Sequence, residues 1–189
     1  MKKNISIHEI CMVGLMAAAV YVASAFIQIP IPTAIDNTRI HMGNVMCLLS
    51  GLLLGPVWGG MAAGIGSMFF DLTNPAYVTS APFTFVFKFL MAWICGTAAL
   101  GRNRQGMTAA RGFFGGILGN GAYVVLYLTK GFIENYYVLH MPIEGVLAST
   151  VQKGIVSTAN AVIAVIVAVP LSLAMKPAVQ KLLAAYQRS

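Results

Sequence analysis

The sequence predicts an all-α integral membrane protein, a bundle of six transmembrane helices with both termini in the cytoplasm. Three observations lead there. The 189 residues are 58% hydrophobic and only 9% charged, whereas a soluble domain of this length carries roughly 25% charged residues. The apolar stretches approach or exceed the ~20 residues that cross a hydrocarbon core. The basic residues gather in three regions that six crossings bring to one side: Lys2 and Lys3, then Arg102, Arg104 and Arg111, then Lys176, Lys181 and Arg188. Basic flanks mark the cytoplasmic side. The whole chain, 1–189, reads as a single multi-pass domain of the cell membrane.

The elements follow in order. The first apolar segment spans about Ile7–Ile29 and closes at Ile-Pro-Ile-Pro, Ile29–Pro32. It starts with two lysines, but its apolar run is longer than a signal-peptide core and no small-residue cleavage site follows, so it reads as a retained helix. The second, Gly43–Leu54, is short. Gly55-Pro56 breaks the chain, and a third runs to about Leu72. The fourth is Ala81–Leu100, the fifth Gly112–Thr129 and the sixth Glu144–Met175. Between the first two, Pro30–Met42 forms a loop with turn chemistry at Asp36-Asn37-Thr38, a candidate lid.

Composition excludes several functions. The net charge of +7 is accounted for by cytoplasmic flanks and is no sign of nucleic-acid binding, which needs a basic face on a soluble module. Cys11, Cys47 and Cys95 show no CxxC or CxxxH spacing, so neither a disulfide framework nor a zinc site is expected. No GxxxxGK[ST] loop is present, so ATP hydrolysis on this chain is not expected. No cofactor is expected. His8, His41 and His140 fall near helix ends, where interfacial residues are common; His41 stands out because the lid precedes it.

The chemistry concentrates in three charges inside apolar stretches: Asp71, Lys88 and Lys153. A charge at bilayer depth is costly and normally faces a cavity or a partner. Six-span topology puts all three towards the outer half of the bilayer. Lys153, Ser157 and Asn160 share one helical stripe, as do Asn120, Tyr123 and Tyr127, and Thr84 lies four residues before Lys88. Two readings of Asp71 stand: an ion pair with Lys88 that tethers two helices, or a substrate contact. One aspartate does not neutralise both lysines. That excess favours a ligand with acceptor atoms or a negative group, unless Lys153 snorkels to the interface or pairs with Glu134 or Glu144. Phe83, Phe85 and Phe87 are spaced by two, so they do not all face one pocket.

Glycines carry a packing message. Gly55/Gly59, Gly60/Gly64, Gly112/Gly116 and Gly115/Gly119 are GxxxG pairs, which let helix backbones approach closely. Gly14/Ala18 and Ala19/Ala23 repeat the pattern in the first helix, far in sequence from the polar residues. There they serve either bundle packing or docking of another membrane protein.

The runs Arg39-Ile-His-Met-Gly-Asn44, Leu48–Ser67 with its Gly-Pro-Val-Trp-Gly-Gly turn, and Ala81-Pro-Phe-Thr-Phe-Val-Phe-Lys88 resemble the substrate-binding S components of energy-coupling factor (ECF) vitamin transporters. They are most similar to the branch named for riboflavin that also includes hydroxymethylpyrimidine and pyridoxine carriers. The resemblance is strong over residues 39–96. It implies capture of a vitamin-like small molecule and association with an energising transmembrane subunit and two ATPase subunits. The helix-one face Gly14, Ala18, Ala19 and Ala23 would dock that subunit, with glycine in place of the usual first alanine. The candidate substrate-binding residues are Asn44, Asp71, Lys88, Asn120, Tyr123, Tyr127, Lys153 and Asn160, and the candidate lid residues Arg39, His41 and Tyr77. The other classes are a stand-alone secondary transporter or channel, which would show inverted repeats with broken helices, and a membrane enzyme, which would need a convergent acid, base or metal set.

Overall fold

The computed structural model describes residues 7–32, 37–101 and 107–186. Asp36 and the flanking basic residues Lys2, Lys3, Arg102, Arg104 and Arg188 lie outside them. Six helices form: α1 (Ile7–Phe26), α2 (Gly43–Leu54), α3 (Pro56–Thr73), α4 (Ala81–Leu100), α5 (Ala109–Ile133) and α6 (Ile143–Tyr186). Among the described residues, four segments are long and apolar enough to cross a membrane, Glu9–Phe26, Val78–Leu100, Ala109–Val138 and Ile143–Val179. At 12 residues, α2 is about 18 Å long, too short to cross alone.

Local chemistry sets the boundaries. Gly55 adopts φ 86° between α2 and α3, a conformation that glycine takes without a Cβ penalty. Pro56 then opens α3, where its missing N–H costs nothing. The Thr108 hydroxyl caps α5 by accepting from the Arg111 N–H.

Three features differ from the sequence expectation. The segment after α1 is not irregular: Gln28–Pro32 (β1) and Asn37–His41 (β2) pair antiparallel, Ile29 opposite Ile40. Proline is tolerated here because a two-stranded hairpin has only edge strands. The all-α expectation thus holds for the bundle but not for its cap. The fifth helix runs past Thr129 to Ile133 and continues as a π turn over Glu134–Val138. The sixth passes through Pro170 and Pro177 to Tyr186, a length of 44 residues.

The core gathers Leu48, Leu52, Met91, Cys95, Ala164 and Val169. Glycines let the helices meet at their backbones. A Cβ on Gly119 would stand 2.5 Å from the Met91 carbonyl oxygen, and one on Gly51 2.5 Å from that of Ala92. Gly112 and Gly116 face Val169 and Val165 of α6, while Gly60 and Gly64 face Phe89 and Phe85 of α4. These pairs serve bundle packing. Outside, Leu15, Phe114, Ile117, Val125, Ile155 and Ile166 are exposed, an apolar surface suited to lipid rather than water.

Candidate functional site

Six helix ends and a hairpin converge on one side of the bundle, opposite the start of α1 and the end of α6. They are the C-terminal ends of α1, α3 and α5, the N-terminal ends of α2, α4 and α6, and the hairpin. They enclose a cavity of about 320 Å³. Its size lies at the lower end of the ~300–1,000 Å³ typical of small-molecule sites.

Lys88 forms the floor. It is 4% exposed. Its ammonium donates to Asn44 Oδ1 on α2 and sits 3.7 Å above the Tyr123 ring centroid on α5. The lysine therefore joins three helices through neutral groups. Asp71 lies beside Thr84 of α4 and within electrostatic range of Arg39 and Lys88. Among the described residues the ion pair that forms is Lys130–Glu134, so the direct Asp71–Lys88 tether weighed from the sequence is not made. Beneath, Cys47 Sγ and Ser67 Oγ lie 3.5 Å apart.

The hairpin is the roof. Asn160 of α6 bonds it twice: its Oδ1 accepts from the His41 N–H at 3.0 Å, and its Nδ2 donates to the Arg39 carbonyl at 2.9 Å. This is the pattern of a strand edge, supplied by a side-chain amide. The Arg39 guanidinium lies 4.0 Å from the Phe70 ring centroid and 4.6 Å from that of Tyr77, and donates to Gln28 Oε1 at 3.0 Å. Burial lowers its pKa, while the nearby Tyr77 and Asp71 raise it. Burial, reinforced by Lys88 and Arg39, holds the His41 imidazole well below its usual pKa. His41 is thus neutral, and its Nδ1 accepts from the Gly43 N–H at 3.1 Å.

A second latch closes the side wall. Lys130 Nζ donates to Ser80 Oγ at 2.9 Å and pairs with Glu134, linking the α3–α4 connection to the end of α5. Asn135, in the π turn, donates to Ser149 Oγ of α6 at 3.3 Å. Such turns recur at functional sites because they re-aim side chains.

Asn44, Asp71, Lys88, Tyr123, Tyr127, Lys153 and Asn160 line the cavity, as do Arg39, His41 and Tyr77. Asn120 does not. It is 1% exposed, one turn deeper than Tyr123, and its amide donates towards the Ala161 carbonyl at 3.5 Å. The stripe Asn120–Tyr123–Tyr127 is real, but the cavity ends above its first member. Of the three spaced phenylalanines, Phe87 lines the cavity, Phe85 packs on Gly64 and Phe83 is half exposed.

Sequence reasoning passed over Ser24, Ser67 and Asn135 as lining residues, and gave Lys130 and Glu134 to an outer loop. A signal for the last two existed. Tyr123, Tyr127, Lys130 and Glu134 continue one stripe at spacings of four, three and four, visible once α5 is carried two turns further. The helix-one residues also separate. Gly14 has no neighbour within 4 Å of an added Cβ and Ala18 is exposed, but Ala23 is 3% exposed and faces the bundle. Ala23 therefore does not belong to the same outward surface.

This polar cavity in an apolar bundle accords with comparison to known proteins. The profile of the family "ECF-type riboflavin transporter, S component" matches residues 4–177. The chain belongs to that family. A Pyrococcus woesei protein described as "Uncharacterized protein in gap 3'region" is 32% identical over 123 residues, covering 63% of this chain and 80% of that one. As an S component, this chain is a multi-pass membrane subunit for vitamin uptake that acts with other ECF subunits rather than as an enzyme.

Proposed function

We propose that this S component captures a compact heteroaromatic vitamin or vitamin precursor, of the riboflavin, pyridoxine or hydroxymethylpyrimidine class, from outside the cell. Six helices make up the membrane bundle, with the short α2 buried among its neighbours rather than crossing alone; both termini are cytoplasmic, and the cavity opens outwards. Lys88 and Asn44 hold ring acceptors from below, Tyr123 and Tyr127 pack on the ring, and the hairpin carrying Arg39 and His41 closes above it with Tyr77. The outward face of α1 at Gly14 and Ala18 docks an energising transmembrane subunit, and two ATPase subunits supply the energy.

The observation that carries this reading is Lys88: a buried cation held by neutral groups at the floor of a polar cavity. Nothing in bundle packing needs a lysine there, and a ligand with acceptor atoms does. Thermal melting of the purified protein tests it. At least one of riboflavin, pyridoxine and 4-amino-5-hydroxymethyl-2-methylpyrimidine raises the melting temperature, and the chain co-purifies with a coupling module. No shift with any of the three, together with uptake by this chain alone in vesicles, would contradict it.

A further inference from the structure

The hairpin passes into α2 through His41-Met42-Gly43, and the local geometry there fixes one imidazole ring. The His41 backbone N–H donates to Asn160 Oδ1 of α6 at 3.0 Å. Its Nδ1 accepts from the Gly43 N–H at 3.1 Å. Glycine at 43 makes that contact possible: an added Cβ would stand 2.7 Å from Nδ1 and would also run into Ser24 Oγ of α1. Main chain and ring are both tied down before any ligand arrives.

An imidazole whose Nδ1 lone pair accepts a hydrogen bond holds its proton on Nε2 when neutral. A second proton would set Nδ1–H against the Gly43 N–H. Nε2–H is therefore a donor, and among the described residues no group accepts from it. Nor is it sealed in the core. The fully buried side-chain polar atom left without a partner is Asn120 Oδ1, a turn below the cavity. The His41 ring lines the cavity instead, with Lys88 of the floor within electrostatic range.

We infer that His41 is a ligand contact as well as part of the lid, its Nε2–H donating to a ring nitrogen or carbonyl oxygen of the bound molecule. This rests on the vitamin-binding reading and adds a rule of selection to it. The molecule presents an unprotonated acceptor to the roof, and an analogue with a carbon or an N–H at that position is rejected. A site built to donate a hydrogen bond discriminates against a ligand lacking the acceptor, because its own donor is left unpaired. Fixing the ring beforehand through Gly43 spares the cost of ordering it on binding.

Two amides separate the two ring nitrogens. On the same backbone an asparagine oxygen reaches the place of Nδ1, and a glutamine nitrogen that of Nε2. His41→Asn thus keeps the Gly43 contact and loses the cavity donor, whereas His41→Gln keeps the donor. Isothermal titration uses the tightest binder among riboflavin, pyridoxine and 4-amino-5-hydroxymethyl-2-methylpyrimidine. His41→Asn should melt as the parent does and bind about tenfold more weakly, the scale of one hydrogen bond, while His41→Gln stays within about threefold of the parent. Unchanged affinity in His41→Asn, or a loss in His41→Gln as large as in His41→Asn, would overturn the inference and leave the vitamin-binding reading standing. Nitrogen NMR of imidazole-labelled protein with His8 and His140 replaced keeps the test open if either His41 variant does not fold. The same ligand should move the His41 Nε2–H proton downfield while Nδ1 remains an acceptor, and an unmoved Nε2–H would equally overturn the inference. A parent chain that binds none of these compounds would overturn both readings.

Discussion

The two ends of the bundle are built by opposite rules. At the end that carries the start of α1 and the end of α6, helices touch backbone to backbone through Gly51, Gly96, Gly115 and Gly119. At the other end the same helices are held apart by long side chains: Lys88 spans to α2 and α5, Lys130 reaches Ser80, and Asn160 bridges to the hairpin. Helix α4 shows both rules along its own length, with Thr84 and Lys88 in the cavity and Cys95, Gly96 and Ala99 in the core. A chain of 189 residues thereby keeps a packed half that fixes helix positions and a polar half that surrounds the cavity. Substitutions in the first half are expected to act on folding, and those in the second on binding.

The largest expected effect is at the packed end. Gly119→Val drives a side chain into the Met91 carbonyl, and overpacking of this kind costs about 3 kcal/mol or more. Melting should fall by ~10 °C, with ligand affinity lost only because folded protein is lost. A variant that melts normally yet fails to bind would break the division of labour.

Lys88→Met is the opposite case. The cavity end should tolerate an uncharged side chain of similar length. A hydrogen bond to a charged group is worth about 1.5–3 kcal/mol, so affinity should fall by roughly 10- to 100-fold. Titration alongside a melting curve separates this from misfolding.

Asn160→Ala sharpens the picture further. It removes both hydrogen bonds that hold the hairpin, each worth about 1 kcal/mol. The expected change is in the dissociation rate, faster by about tenfold, with association little altered. Stopped-flow measurement reads this directly, and an unchanged dissociation rate would show that the hairpin is not the gate.

The smallest effect on the molecule itself should come from Gly14→Leu. Its site is open, so melting and ligand affinity should match the parent. Uptake by cells containing the coupling module should nevertheless drop if, as proposed, this face docks the energising subunit.

Much of this contrast is legible in the sequence. The GxxxG spacings mark the packed end, and lysines within apolar runs mark the open one, because both signals are local in sequence. What escapes is set by contacts between distant segments. The hairpin is hidden by Pro30 and Pro32, which argue against a strand until both strands prove to be edges. Asn120 shares the spacing of Tyr123 and Tyr127, and spacing reports the face of a helix but not the depth at which a cavity ends. Asn160 carries ligand-binding chemistry, yet its amide is committed to the Arg39 and His41 backbone.

Native mass spectrometry of the protein as purified, beside Lys88→Met prepared the same way, bears most directly on the central claim that the polar end is a vitamin site. The account expects a bound heteroaromatic mass on the parent chain and its loss from the variant. An unloaded parent that no vitamin-class compound can load, or a variant that retains the same bound mass, would contradict it.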